Sequence, residues 1–372
     1  MKIYSTPCGV GPSATAFADR TIRRLHAASE QPLHQMVSDP DAADFILISN
    51  LPLEVDQRAL RNHPLLPRYV HKSYALWDSW NTPRLLPGVY VNATRGSLFG
   101  RFRTGSYALL HPDFKNPFVE AFDVPPSSRP EPDLLFSFLG RNCHPCRAAI
   151  FGANYLRKDI LIEDTSAYNA FSHVQEGKEA DQRRYLELCL RSKFMLCPRG
   201  AGASSIRLFE ALRLGIAPII LSDAWLPCVG PDWKRAAIFV KENDVHRLEE
   251  IVAQHEPRWR EMGVAAREIH DRFFSEKTYF NFLIANVSAI ARQRVIPERP
   301  IYSSWTMQVS IYQARARWAA ALARRIPQPL QRFTRASALQ STTVPRPNVR
   351  AITRIAGERS PAIRRPSSNG LE

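Results

Sequence analysis

Four short apolar runs and their spacing constrain this chain most. They are residues 134–140 (LLFSFLG), 159–163 (DILIE), 193–197 (KFMLC) and 217–221 (APIIL). Each has the length of a buried strand. The stretches between them are helix-sized. Residues 145–157 form one. Residues 179–191 form another, with Tyr185, Leu186, Cys189 and Leu190 on one face, and SSIRLFEALRLG (204–215) the third. Strands alternating with helices of this length predict a parallel sheet with right-handed crossovers, because a parallel neighbour is reached only by a crossover. Ligands of such sheets sit beyond the carboxyl ends of the strands.

Outside this unit the signals are weaker. FILIS (45–49), ended by Asn50 and Pro52, predicts a strand, and residues 16–30 have helical spacing. Residues 62–130, rich in Pro, Gly and aromatic side chains (WDSW at 77–80, LPGVYV at 86–91), predict little regular structure. The proline-rich DVPPSSRPEPD (123–133) resists both helix and interior strand and reads as an interdomain linker. Helices dominate from Val245 to about Val287, no period of 20–50 residues recurs, and beyond Gln328 the composition predicts a disordered tail. These shifts divide the 372 residues into 1–130, 131–290, a basic helical extension at 291–330 and an Arg-rich tail at 331–372.

Charge follows the same division. The chain carries 50 Lys+Arg against 35 Asp+Glu, a net charge of +15. Residues 291–330 hold seven Arg and one Glu, and 331–372 hold eight Arg and two Glu, so only +3 of the excess belongs to residues 1–290. The basic character thus describes the C-terminus. With a single aromatic in the tail beyond Gln328, Phe333, and no recognisable nucleic-acid module, nucleic acid is an unlikely partner. Residues 307–326 (MQVSIYQARARWAAALARRI) fit a helix with Met307, Ile311, Ala314, Trp318 and Leu322 on one stripe and Arg315, Arg317 and Arg324 on or beyond its edges. That stripe either packs on the body or meets an anionic membrane surface. The longest apolar runs are strand-sized, which excludes a membrane-spanning helix. No secretory signal is visible, and six scattered cysteines make no disulfide framework. Cys189 and Cys197 read as buried thiols. The expected place is the cytoplasm, with peripheral attachment at an inner membrane face.

The chemistry concentrates after the third run, in CPRGAGASSIRLFEALRLG (197–215). Pro198 stops the strand, Gly200 and Gly202 let the backbone turn and approach a ligand, and Ser204 or Ser205 caps the next helix. The free N–H groups of that helix start favour an anion. Arg199 and Arg207 flank the turn with guanidinium forks that match phosphate oxygens. Glu210, one turn beyond Arg207, is placed to read ribose hydroxyls, or else forms a solvated pair with Arg207. Cys143-His-Pro-Cys146 has CxxC spacing, but no second ligand pair for zinc is evident, and a turn with Pro145 opening a helix reads better.

The ordered blocks CPRG, SxRLFEAL and PIILSD, then LP, DW and IFVKEND, resemble the C-terminal domain of the exostosin family of glycosyltransferases. The preceding YLELCLRSKFMLC and LLFSFLGRNCHPCRAAIF fit the same pattern, and the resemblance covers roughly 131–285. It implies an α/β GT-B-like architecture, two Rossmann-like domains facing a cleft. The activity implied is inverting transfer of a sugar from a nucleotide donor to a glycan or polysaccharide acceptor, without a required divalent metal or other cofactor. Residues 1–130 would form the acceptor side and 131–290 the nucleotide-sugar side. Arg199, Gly200, Gly202, Ser204, Ser205 and Arg207 would hold the donor diphosphate and Glu210 its nucleoside, with Arg199 and Glu210 counted as catalytic. Asp223 and Trp233 fall in matching blocks and read as architectural. Inversion also needs a general base; Asp78 is the candidate, with His111 and Asp113 as rivals. The competing class is a non-catalytic binding protein that keeps the nucleotide-sugar fold and is recruited through its basic C-terminus.

Overall fold

The computed structural model describes residues 1–8, 14–50, 60–77, 85–93, 103–106, 108, 115–167 and 177–325. Asp78, His111, Asp113 and the tail at 331–372 lie outside the described residues.

Two wholly parallel sheets organise the chain. The first contains β1 (Lys2–Pro7), β2 (Gln35–Met36), β3 (Phe45–Asn50), β4 (Ser73–Trp77), β5 (Gly88–Tyr90) and β6 (Thr104–Ser106), in the spatial order β2-β1-β3-β4-β5-β6. Helix α1 (Ala14–Ala27) follows β1 and packs on it and β3. The strand expected at 45–49 is β3, central and buried, pairing β1 from Ile3↔Phe45 to Pro7↔Ser49. The expectation of little regular structure between 62 and 130 is corrected, since β4, β5 and β6 all lie there. β5 and β6 are three residues each and each contains a glycine, too short to show a period of two. Gly88 pairs so closely with β4, at a φ of +148°, that a Cβ would lie 2.1 Å from the Ala75 carbonyl oxygen. A residue that reads as a strand breaker is thus what lets this strand pair.

The second sheet is built from the four apolar runs: β7 (Leu134–Gly140), β8 (Ile160–Asp164), β9 (Ser192–Pro198) and β10 (Ala217–Leu221), with the two-residue β11 (Ile238–Phe239) at its edge. Its crossover helices are α2 (Pro145–Gly152), α3 (Lys178–Leu190) and α4 (Ile206–Leu214), and helices shorter than eight residues are left unlabelled. α4 ends at Gly215, whose φ of +63° is left-handed, as a helix-stopping glycine requires. Every residue of β7 is buried, and Gly152 ends α2 sooner than the helical spacing to 157 predicts. The order β11-β10-β9-β7-β8 means that the chain steps from β7 to β8 on one side, then returns to place β9 on the other. The strand order therefore reverses between β7 and β9, and in such sheets ligands bind beyond the carboxyl ends of the strands at that point.

The proline-rich segment 123–133 is clamped to the second sheet's helices. Arg129 donates to the carbonyls of Val124 and Leu214, and a Cβ at Gly215 would lie 2.4 Å from the Pro126 ring. Helix α5 (Trp259–Ile269) packs against α4, whereas α6 (Tyr279–Gln293) packs on α1, β5 and β6. A single apolar cluster takes in Leu76 and Val89 from the first sheet, Phe280 and Ile284 from α6, and Met195 and Ile220 from the second. Arg103, just before β6, forms a fully buried ion pair with Glu298 and donates to the Leu85 carbonyl at 2.7 Å. Helix α7 (Trp305–Arg325) follows. No helix among the described residues is long and apolar enough to cross a membrane. The α/β class and the pair of Rossmann-like parallel sheets expected from the sequence are what this chain folds into.

Candidate functional site

The turn from β9 into α4 lies at the point where the second sheet reverses. The Arg199 N–H bonds the Leu221 carbonyl at 2.9 Å and extends the pairing of β9 with β10 by one step. The Arg199 side chain is only 4% exposed, and its Nη1 lies 3.5 Å from Glu242 Oε1. Arg147, buried on α2, fixes the backbone of this turn. It donates from Nε to the Arg199 carbonyl at 2.8 Å, from Nη2 to Pro198 at 3.0 Å and from Nη1 to Arg141 at 3.1 Å. One guanidinium thereby ties the loop after β7 to the loop after β9.

Both glycines of the turn have tight neighbours. A Cβ on Gly200 would lie 3.3 Å from Arg147 Nη2. At Gly202 a Cβ would fall 2.1 Å from Asn92 Oδ1, so any side chain there displaces Asn92. Asn92 follows β5 of the first sheet, is buried, and accepts the Ser204 N–H at 3.1 Å. Gly202 thus admits a side chain from the other sheet, a different use from the close approach to a ligand expected of it. Ser205 takes the N-cap position of α4, yet its hydroxyl makes no capping bond, which corrects the expected cap. Its Oγ is buried and has no partner among the described residues.

Arg207 donates to the Leu139 carbonyl at the end of β7, and its guanidinium lies 5.2 Å from the Phe138 ring centre and 5.9 Å from that of Tyr185. Its Nε, like that of Arg199, is buried without a partner among the described residues. Glu210 spends its carboxylate on Tyr185, accepting from the hydroxyl at 2.7 Å, so the solvated Arg207–Glu210 pair is replaced by two separate arrangements. Burial raises the Glu210 pKa and, more strongly, that of Tyr185. The Asp223 carboxylate accepts the Glu242 N–H at 3.3 and 3.4 Å, and the Asp223 N–H returns a bond to Glu242 Oε1 at 3.1 Å. Trp233 is buried, donates to Cys228 at 2.9 Å and meets Trp225 edge-on.

Positive charge is crowded at this turn. Burial, and then the charge of Arg207, lowers the Arg147 pKa to about 10. Burial, followed by Arg199 and Arg147, brings His144 down to about 4. His144 and Cys146 meet Glu242, and one ligand atom from each lies within 4.8 Å of the others. The third member comes from far along the chain, which is why CxxC spacing gives no sign of it. Burial pushes the Cys146 thiol up to about 12, His144 Nδ1 accepts the Cys146 N–H at 3.3 Å, and two guanidiniums stand alongside. His144 and Pro145 form the first turn of α2, as the turn reading of CxxC expected, with the imidazole as the cap.

This geometry lies inside a stretch, residues 91–255, that matches the Exostosin GT47 domain. Curated relatives match part of the chain. The chain is 34% identical to the Exostosin-1 homolog of Caenorhabditis elegans over 125 residues, 31% of this chain and 33% of that protein. It is 32% identical to Exostosin-1 of Drosophila melanogaster over 133 residues, 35% of this chain and 17% of that one. A probable glucuronosyltransferase of Oryza sativa subsp. japonica is 41% identical over 70 residues, 18% of this chain and 16% of the relative. The chain thus matches a third or less of the length of these relatives. The matched stretch brings Arg199, Gly200, Gly202, Ser204, Ser205 and Arg207 to one turn, with Glu210 behind it. Sequence reasoning passed over Arg147, Asn92 and Tyr185. Arg147 leaves one signal, a charged residue between Cys146 and Ile150 on the buried face of α2; Asn92 leaves none.

Proposed function

We propose that this protein is a glycosyltransferase of GT-B type that holds a nucleoside-diphosphate sugar at the β9–α4 turn and transfers the sugar, with inversion, to a glycan acceptor. One observation carries the reading. Arg199 Nε, Arg207 Nε and Ser205 Oγ are three buried polar atoms without a partner among the described residues, gathered at a single turn beside the point where the strand order reverses. Buried donors are almost always satisfied, so three together call for a ligand. The surplus positive charge and the start of α4 specify an anion. The acceptor hydroxyl attacks the anomeric carbon while the bond from that carbon to the leaving phosphate oxygen breaks. The departing diphosphate gains negative charge that Arg199, Arg207 and the α4 N–H groups stabilise. Fixed guanidinium charge takes the part a divalent ion would otherwise play. Glu210, steadied by Tyr185, faces the donor nucleoside, and the base that takes the hydroxyl proton is assigned to Asp78.

The work assigned to the protein is glycan or polysaccharide assembly in the cytoplasm. A glucuronic acid donor is the first to test, given what the rice relative is called. Purified protein is titrated with nucleoside diphosphates and nucleotide sugars in a thermal-shift assay, and sugar release or transfer is followed with and without EDTA. Stabilisation by a diphosphate and EDTA-resistant turnover of one donor are expected, both lost in Arg199→Gln. Donor binding without turnover on any acceptor would favour the non-catalytic reading. No stabilisation by any diphosphate would overturn the site itself.

A further inference from the structure

Helix α7 meets the body on one side only. Trp305 and Val309 are 1% and 3% exposed and join the core beside Leu66, Tyr69 and Tyr302. At about 100° per residue, Met307, Ile311 and Trp318 fall on the opposite side of the helix. They are 59%, 50% and 70% exposed. From Gln313 onward every residue of α7 whose side chain is described is exposed. Met307, Ile311, Ala314 and Trp318 of the expected stripe are therefore exposed and are not the packing face, a role that Trp305 and Val309 occupy, while the Leu322 side chain lies outside the described ones.

Its flanks name the occupant. Arg315 and Arg317 are exposed and lie on the two edges of the stripe, about 60° to one side of its centre and about 100° to the other. Between Arg299 and Gly357 the chain has ten arginines and no acidic residue. A protein partner of mixed charge leaves such a one-signed flank unmatched. An anionic bilayer matches both features at once. Methionine, isoleucine and tryptophan enter the acyl boundary, tryptophan suits the headgroup level, and arginine reaches phosphate while its stem stays apolar. Three large apolar residues hold a surface weakly, so attachment needs the charge as a second signal.

We propose that α7 docks this protein on an anionic lipid surface, with Met307, Ile311 and Trp318 inserted and the arginines among the headgroups. The inference does not depend on the sugar-transfer reading. It is tested on the full chain by co-sedimentation with vesicles of phosphatidylcholine alone and with about a third phosphatidylglycerol. Binding is expected only to the anionic vesicles and is expected to fall at least about tenfold at high salt. It is expected to fall by about as much in Ile311→Gln/Trp318→Gln and in Arg315→Gln/Arg317→Gln. A blue shift of tryptophan emission on the anionic vesicles should vanish in Trp318→Gln. Equal binding to neutral vesicles, or full binding by the Ile311→Gln/Trp318→Gln chain, overturns the proposal. So does a dimer in light scattering that those substitutions split, because a second copy then covers the stripe. Binding to a nucleic acid that displaces the vesicles points to a different polyanion and also overturns it.

Discussion

Arg103, beside the first sheet, and Arg199 and Arg207, beside the second, are arginines of one chain put to opposite uses. Arg103 is buried against Glu298 and the Leu85 carbonyl. Arg199 is just as buried, but its ion pair with Glu242 is longer, at 3.5 Å, and it and Arg207 each leave Nε unpartnered among the described residues. A buried charge matched by its own fold is a structural part. One left partly unmatched costs free energy until something else matches it, and it marks where a ligand belongs. The contrast explains why Arg147, bonded to three carbonyls, reads as the frame of the site and not as a contact.

The largest effect should fall on the matched pair. Glu298→Ala strands the Arg103 charge and is expected to cost about 3–5 kcal/mol, seen as a lower melting temperature, while protein that remains folded keeps its affinity for a nucleoside diphosphate. If diphosphate affinity falls as steeply as stability, the division of roles between the two regions is wrong. Arg199→Gln should show the reverse pattern. About 1.5–3 kcal/mol of diphosphate affinity is lost in calorimetry, with a smaller change in unliganded stability. Gly202→Ala tests where the two sheets touch. The new methyl must displace Asn92, at an expected cost of about 1–3 kcal/mol in denaturant melts, and Asn92→Ala in the same chain should return part of it.

The smallest effect is a pH dependence. His144 titrates near 4 in the fold against 6.5 unfolded. As pH falls the unfolded chain takes the proton first, so stability present above about 6.5 is lost on the way to about 4. His144→Asn keeps an acceptor at the helix cap and removes the titration. It should shrink the acid loss between those values by up to about 2 kcal/mol in melts taken across the window.

The two sheets also differ in how readily they can be read. β7, β9 and β10 are continuous apolar runs because both faces of each are buried, and such runs are visible in one dimension. β5 and β6 are no less buried, but three residues carry no period, and Gly88 and Gly105 disguise them. The site divides in the same way. Arg199, Gly200, Gly202, Ser205, Arg207 and Glu210 lie within twelve residues and could be named together. Asn92 and Glu242 reach them from far away in the chain, and Tyr185 from the preceding helix, each through a contact that no local pattern encodes. Ser205 has the right residue type for a cap, but its hydroxyl is buried without the capping bond.

By itself, the sequence determined the class of the second sheet, the turn that gathers Arg199, Ser205 and Arg207 and the basic, apolar-striped helix near the end of the folded body. Each is a local property, written in the burial of neighbouring residues or the charge of a short segment. Only the tertiary structure decided the strand order that puts β7 beside β9, the reach of Asn92 across to Gly202, and which face of α7 stays bare. Those depend on what each segment packs against, and packing partners hundreds of residues apart leave no mark on either segment alone.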